Sequence, residues 1–275
     1  MNRTYFLGAN SSRGFYSCYD SFCRPDDGDF LYIIKSGPGS GKSTLMRRVA
    51  SAAQHRDMDV EIVLCSGDPD SLDGVYLPQL HVGVVDGTSP HVIEPRIPAA
   101  SDLYLDLSGC YDVRAAGVRK ESLGRLFHAY REQYRRAYSL LSRHTPPEAP
   151  VSLPAEAKRR LTLAVSCQGI LRLPFPENAE VLDRPEFRRR LAHSAPTVLY
   201  LHPLWPELAE AYETADGQVF ISEIPMPDCA DAVAALQEAK RLHDQLEAAY
   251  RPCIDFSVVE DATDRVIRRI FENAD

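Results

Sequence analysis

Short apolar runs bounded by turn residues recur through the first half of the chain, near Tyr5–Leu7, Phe30–Lys35, Val60–Cys65, His81–Val85 and Leu103–Leu107. Runs of this length with few polar interruptions predict strands buried on both faces, as in parallel sheets. Between them the spacing of apolar residues changes to three and four. A helix is predicted to open at Gly41 and to bury Leu45, Met46, Val49 and Ala53. A second is predicted from Glu121 to Ser142, where Leu123, Leu126, Phe127, Tyr130, Tyr134, Tyr138 and Leu141 fall on one face. Val233, Leu236, Leu242, Leu246 and Tyr250 repeat the pattern near the other end. These stripes are read as core packing. Strands alternating with helices predict an α/β protein with a mainly parallel sheet.

The segment from His144 to Glu156 holds Pro146, Pro147, Pro150 and Pro154, which remove backbone donors and block helix. It divides the chain into a module over 1–145, a proline-rich linker over 146–156 and a smaller α/β module over 157–275. Three weak echoes run in the same order on both sides. "RTYFLGANSSRGF" pairs with "RRLTLAVSCQGI", "EIVLCSGDPDSL" with "TVLYLHPLWPEL", and "AYREQYRRAY" with "AKRLHDQLEAAY". Their order suggests an internal duplication.

Composition narrows the class. Hydrophobic residues make up 44% and charged residues 25%, as in ordinary globular proteins. No apolar run approaches the ~18 residues of a membrane span, so no membrane contact is expected. "MNRTYFLGANSSRGF" has no apolar h-region and no small-residue cleavage site, which speaks against a secretory signal. Seven scattered cysteines, with no Cys-x-x-Cys pair, fit neither a zinc site nor a disulfide framework. Reduced thiols in a cytoplasmic protein are the expectation. A net charge of −8 disfavours nucleic acid as a partner.

"YIIKSGPGSGKSTLM", Tyr32 to Met46, changes the picture. An apolar strand runs into a glycine-rich turn that opens an amphipathic helix, the context in which a phosphate loop works. Gly37, Gly39 and Gly41 let successive N–H groups curl around an anion, helped by the positive end of the helix dipole. Pro38 and Ser40 complete the turn. Lys42 is placed to reach the β- and γ-phosphates, Ser43 to ligate Mg²⁺, and Thr44 to contact the α-phosphate side. The pattern departs from the usual one at Ser36, where glycine is customary. "LHVGVVDG", Leu80 to Gly87, ends an apolar strand in Asp86, an acid placed to orient the metal. Gly87 stands where many motor-type ATPases carry a catalytic glutamate. Thr88 and His91, in the loop that follows, are candidates to approach the γ-phosphate, although a loop histidine also bonds backbone. Asp68, Asp70 and Asp73 leave another strand end, as metal ligands, as a base or as solvated turn acids.

"FLGANSSRGFYSCYDSF", "KSGPGSGKSTLM", "CSGDPDSLDGV" and "VGVVDGTSPHVIEP" together resemble an uncharacterised bacterial family of P-loop ATPase-like proteins with two P-loop modules in tandem. The resemblance is dense from Arg3 to about Pro95 and returns in "EAKRLHDQLEAAYRPCIDF", which is similar to the family's closing helices. It implies a P-loop NTPase three-layer α/β/α fold in which Gly37 to Thr44 and Asp86 bind nucleotide and Mg²⁺. The second module has no Gly-Lys-Ser/Thr, and its counterpart of Asp86 falls near Ser222 or Glu223.

The expected function is Mg²⁺-dependent binding of a nucleoside triphosphate, ATP, with slow hydrolysis, and with Lys42 and Asp86 as the catalytic pair. The first alternative is a small-molecule or nucleotide kinase whose lid uses Arg114, Arg119, Lys120 and Arg125. The second is a nucleotide-controlled switch or scaffold for an unidentified protein partner. No Asn-Lys-x-Asp motif supports GTP. One nucleotide per chain is expected, with His202 and Trp205 the candidates for any separate site after Pro150.

Overall fold

The computed structural model describes residues 3–68, 70–150, 161–163, 175 and 177–272. In chain order the first half supplies β1 (Arg3–Tyr5), β2 (Gly8–Ser11), β3 (Gly14–Ser17), β4 (Phe30–Lys35), α1 (Lys42–Gln54), β5 (Glu61–Leu64), β6 (Leu72–Leu77), β7 (Val82–Asp86), β8 (Asp102–Asp106), α2 (Val113–Val118) and α3 (Lys120–Leu141). The second half supplies β9 (Leu161–Leu163), β10 (Glu180–Val181), α4 (Arg184–Ala192), β11 (Val198–Leu201), β12 (Ala209–Glu213), β13 (Val219–Ile221), α5 (Ala230–Tyr250) and α6 (Phe256–Glu272).

The larger sheet has the order β1-β5-β6-β7-β4-β8. All its strands point one way except β6, which runs antiparallel to both neighbours. The class is therefore α/β with a mixed, mostly parallel sheet. β6 was read as part of a loop after the third predicted strand. Its six residues, Leu72 to Leu77, are all buried, because a strand in mid-sheet is covered on both faces. The smaller sheet, β10-β13-β12-β11-β9, is also mixed, and β2 and β3 form a separate hairpin.

One face of the larger sheet is covered by α1 and α6. Leu45, Met46, Val49 and Ala53 of α1 meet Tyr32, Ile34, Val75 and Val84, with Val259, Val266 and Ile270 of α6 in the same core. The other face is not covered by a helical layer alone. Phe187 and Leu191 of α4, Leu199 and Leu201 of β11, and the segment from Cys18 to Cys23 pack there against Ile33, Val63 and Val85. Both cores thus draw on residues from before and after the proline-rich segment. The packing does not divide at 146–156, although the sequence reading did. His144 accepts a hydrogen bond from the Trp205 indole at 3.2 Å, and Glu148 pairs with Arg184 and Arg188. The remainder of the linker, 151–156, and Cys167 and Gly169 lie outside the described residues.

α3 and α5 form an antiparallel pair. Ala137 of α3 meets Ala235 and Leu236 of α5, and small side chains let the two backbones approach. Only Leu123, Ala137 and Leu141 of α3 are buried. The tyrosines read as core packing stand half-buried on a different face, described below. No helix among the described residues is long and apolar enough to cross a membrane.

If α6 belongs to the core of the larger sheet, Ile270→Ala should cost about 2–5 kcal/mol, the usual range for truncating a buried isoleucine. Urea unfolding of the full chain measures it. A loss below about 1 kcal/mol, the scale of a surface substitution, would show that α6 is peripheral.

Candidate functional site

The six-residue turn between β4 and α1 departs from regular structure at two glycines. Gly39 and Gly41 have φ of 72° and 85°, the left-handed region that L side chains avoid. Ser36 has no such φ, so serine there costs the backbone nothing. Its hydroxyl is buried beside Cys110 and Tyr111, with no partner in full hydrogen-bond geometry among the described residues. Within the turn, Ser40 Oγ donates to Gly37 O at 3.0 Å and the Tyr111 hydroxyl donates to Pro38 O at 2.9 Å. The first-turn amides of α1 have no intrahelical acceptor and carry the positive end of the helix dipole.

Lys42 opens α1 and turns back over the loop. Its Nζ donates to Gly37 O at 3.0 Å and lies 3.6 Å from Asp86 Oδ2. This pairing follows from sheet order. β4 and β7 are direct parallel neighbours, with Ile34 opposite Asp86, so the loop and the acid leave the same sheet edge. Asp86 is buried, and its Oδ1 accepts from Thr88 N at 2.9 Å and Thr88 Oγ1 at 2.6 Å. Ser43 Oγ accepts from Leu72 N at 3.0 Å. The residue after Asp86 is glycine for a steric reason, since a Cβ there would lie 2.3 Å from Ile33 Cγ2.

His91 is more than a backbone-bonded loop histidine, because it also joins a buried side-chain pair. It is buried, with Nε2 3.3 Å from Asp73 Oδ2, and its ring lies 4.7 Å from that of Tyr19 and 5.9 Å from that of Phe15. The Tyr19 hydroxyl donates to the same Asp73 oxygen at 2.9 Å. Nδ1 is buried and meets no partner in full hydrogen-bond geometry among the described residues. Burial pushes the imidazole pKa down, but Asp73, with Asp86 behind it, outweighs burial and holds it above the ordinary value. Burial pushes Asp73 up, and His91, Tyr19 and Cys65 outweigh that, holding it below the usual carboxylate range. Asp73 is therefore a buried strand residue of β6, not a solvated turn acid. Asp68 accepts from Ser71 Oγ at 3.0 Å and pairs with Lys240 at 3.2 Å, while Asp70 is exposed.

These groups face a cavity of about 770 Å³. Residues 39–44 form its floor, and the ends of β5 and β7 and the α3–α5 pair form its walls. From α3 come Tyr130, Arg131, Tyr134, Arg135 and Tyr138; from α5 come Lys240, His243 and Glu247. Glu247 reaches the floor, where Gly39 N donates to its Oε1 at 3.2 Å. The α5 backbone is close enough that a Cβ on Gly39 would lie 3.3 Å from Glu247 O. His243, Asp244 and Glu247 bring ligand atoms within 4.8 Å of one another, but Asp244 pairs with Lys240 and Glu247 with the loop amide.

Gly39, Ser40, Gly41, Lys42, Ser43, Thr44, Asp86, Thr88 and His91 thus line one cavity, while Gly37 and Pro38 shape the turn beneath it. Arg114, Arg119, Lys120 and Arg125 do not line it; Arg125 pairs with Glu121 in solvent. His202 and Trp205 are buried and stacked at 5.0 Å in a hydrophobic cluster with Leu141, Leu204 and Leu208, so they serve packing. Ser222, buried after β13, donates its N–H to Glu210 O at 2.9 Å. Sequence reasoning missed Glu247, whose partner Gly39 is remote in the chain, and the tyrosine row, whose spacing is that of a core stripe.

The arrangement defines an α/β protein with a glycine-rich loop and an acid at one sheet edge, roofed by the α3–α5 helix pair. No protein-family model matches the chain, and comparisons with curated proteins and with solved structures find no match.

The His91–Asp73 pair has a testable pH signature. A folded-state pKa raised above the unfolded value of ~6.5 stabilises fully below that value, and the contribution is lost as pH rises through the folded value. His91→Gln should therefore cost about 3 kcal/mol at acid pH, the scale of a broken buried pair, and clearly less at alkaline pH. Urea unfolding at an acid pH below ~6.5 and at an alkaline pH reads the difference. An equal loss at both would mean that the pair carries no net charge interaction.

Proposed function

We propose that the chain is a P-loop NTPase that binds Mg²⁺–ATP on residues 37–44 and acts on its γ-phosphate. The observation that carries this reading is the placement of Lys42 beside Asp86, at the ends of adjacent parallel strands, over a floor of left-handed glycines. Lys42 has a small reach to make, from Gly37 O to the β- and γ-phosphates. Ser43 Oγ keeps a second lone pair after accepting from Leu72 N, and Asp86 adds a carboxylate, so hard oxygen donors converge as Mg²⁺ requires. Mg²⁺ held there by Ser43 and Asp86 would offset charge developing on the phosphates. The Gly39 amide becomes available when Glu247 withdraws its carboxylate. Protein groups then supply positioning and electrostatics, which dominate phosphoryl transfer.

Water is a poor acceptor in this site. No side chain fits at Gly87, and the carboxylates of Asp68, Asp73 and Asp86 are all engaged. That favours the kinase reading over a fast ATPase, and the cavity's extension to α3 and α5 favours it too. A nucleotide-controlled switch is the reading left if binding occurs without turnover.

Calorimetry with a non-hydrolysable ATP analogue and Mg²⁺ tests the site. One equivalent should bind per chain, and Lys42→Ala should abolish binding while leaving the fold intact. Glu247→Gln removes a negative charge beside the phosphates and should tighten binding by about tenfold, or ~1.4 kcal/mol. Equal affinity of Lys42→Ala and the unmodified protein would sink the assignment.

Phosphate release from the purified protein alone should fall well below ~10 s⁻¹, a median enzyme rate. Sustained release at that rate would show that a base for water is present.

A further inference from the structure

The wall that α3 and α5 present to the cavity is only partly core. Tyr130, Tyr134 and Tyr138 recur at four-residue steps and share a face. Tyr134 stacks with Tyr138 at 6.1 Å, and Tyr130 meets Tyr134 edge-on at 6.2 Å and His243 at 5.5 Å. These half-buried rings line the cavity with one side while Tyr134 and Tyr138 also pack against the small core clusters of the helix pair, which are centred on Ala137, Ala235 and Leu236 and on Leu141 and Ala232. Burial, with Lys240 and Lys42 nearby, outweighs Glu247 and holds the pKa of His243 below its ordinary value. At neutral pH it is an uncharged donor and acceptor beside the tyrosines. Arg131 lies one position beyond Tyr130, with its guanidinium 4.7 Å above the Phe127 ring. Among the described residues it is paired with no acid. Stacking faces, a neutral hydrogen-bonding edge and a guanidinium held by Phe127 and Tyr130 without an acidic partner among the described residues are the groups that recognise a heterocycle carrying an anion.

Resting on the P-loop reading above, we propose that this wall binds the phosphoryl acceptor, and that the acceptor is a nucleoside monophosphate. Its base stacks on the tyrosine row beside His243, and Arg131 holds its phosphate. The chemistry of the cleft points the same way. A hydroxyl or a water needs a base to take its proton; Asp68, Asp73 and Asp86 are already engaged, which leaves that task to Glu247 on its withdrawal from the Gly39 amide. A phosphate acceptor needs none, because its oxygen is already an anion at neutral pH. That oxygen forms a bond to the γ-phosphorus. The bond from the γ-phosphorus to the β–γ bridging oxygen breaks, and its electron pair stays on the departing nucleoside diphosphate. Two nucleoside diphosphates result, with no proton to place and no other co-reactant. A cavity of about 770 Å³ is large enough for phosphates on the loop and a second small molecule on the wall.

The test uses the full chain. A non-hydrolysable ATP analogue with Mg²⁺ is titrated first, and reads the loop. AMP, GMP, CMP and UMP are then titrated with and without saturating analogue, with adenosine and ribose 5-phosphate as probes of ring and anion alone. At least one monophosphate is expected to bind at one per chain to the analogue-loaded protein, more tightly than either fragment. Arg131→Ala, at an exposed position, and Tyr134→Leu should each weaken it at least tenfold. With ATP and that monophosphate, two diphosphates should form faster than phosphate is released. No monophosphate binding up to about 1 mM, the upper end of ordinary KM values, overturns the inference. So does Arg131→Ala that leaves monophosphate binding intact, or that weakens the ATP analogue equally. Failure of the analogue to bind, with a monophosphate still bound, removes the P-loop reading instead.

Discussion

Everything at the candidate site depends on β4 and β7 lying side by side and pointing the same way. Register places Ile34 opposite Asp86, so the chain leaves both strands at one edge. One exit supplies the glycine-rich turn and Lys42, the other the carboxylate. Had a strand intervened, the 3.6 Å approach of Lys42 to Asp86 would have been lost. The same close pairing leaves no room for a side chain at Gly87. One packing constraint thus assembles the charged pair and removes the position from which a glutamate would activate water.

The second constraint comes from the far end of the chain. α6 shares a core with α1, and Val259 reaches the backbone at Gly41. α5 rests on Gly39 and sets Glu247 against its amide. The amide at the glycine-rich turn is thereby satisfied by the protein's own carboxylate, which ties the turn to the α3–α5 pair. The antiparallel β6 contributes as well, by carrying Asp73 into the sheet, where it holds His91 beside Asp86.

Much of this was legible in the chain. Strands around Phe30–Lys35 and Val82–Asp86, and helices over α1, α3 and α5, follow from apolar spacing, because buried strands and amphipathic helices leave distinct periods. Glycine, lysine and serine at fixed offsets after a strand suffice to mark a candidate anion loop, because backbone conformation there is a local property. Asp86 was marked by the same local logic. The purpose of apolar and aromatic residues was not legible. Tyr130, Tyr134 and Tyr138 obey the spacing of a core stripe, and periodicity reports which face a residue shares, not what that face meets.

By itself, then, the sequence determined the local elements and the chemistry available at the turn after β4, because dihedral preference, glycine and apolar period act over a few residues. Tertiary structure alone decided three things. It reversed β6 and buried Asp73 with His91. It laid segments from both sides of the proline-rich stretch into shared cores. It brought Glu247 to Gly39, 208 residues away in the chain, and turned a tyrosine row toward a cavity. Each rests on which surfaces find one another when apolar area leaves water, and that choice is made by the whole fold and written in no single segment.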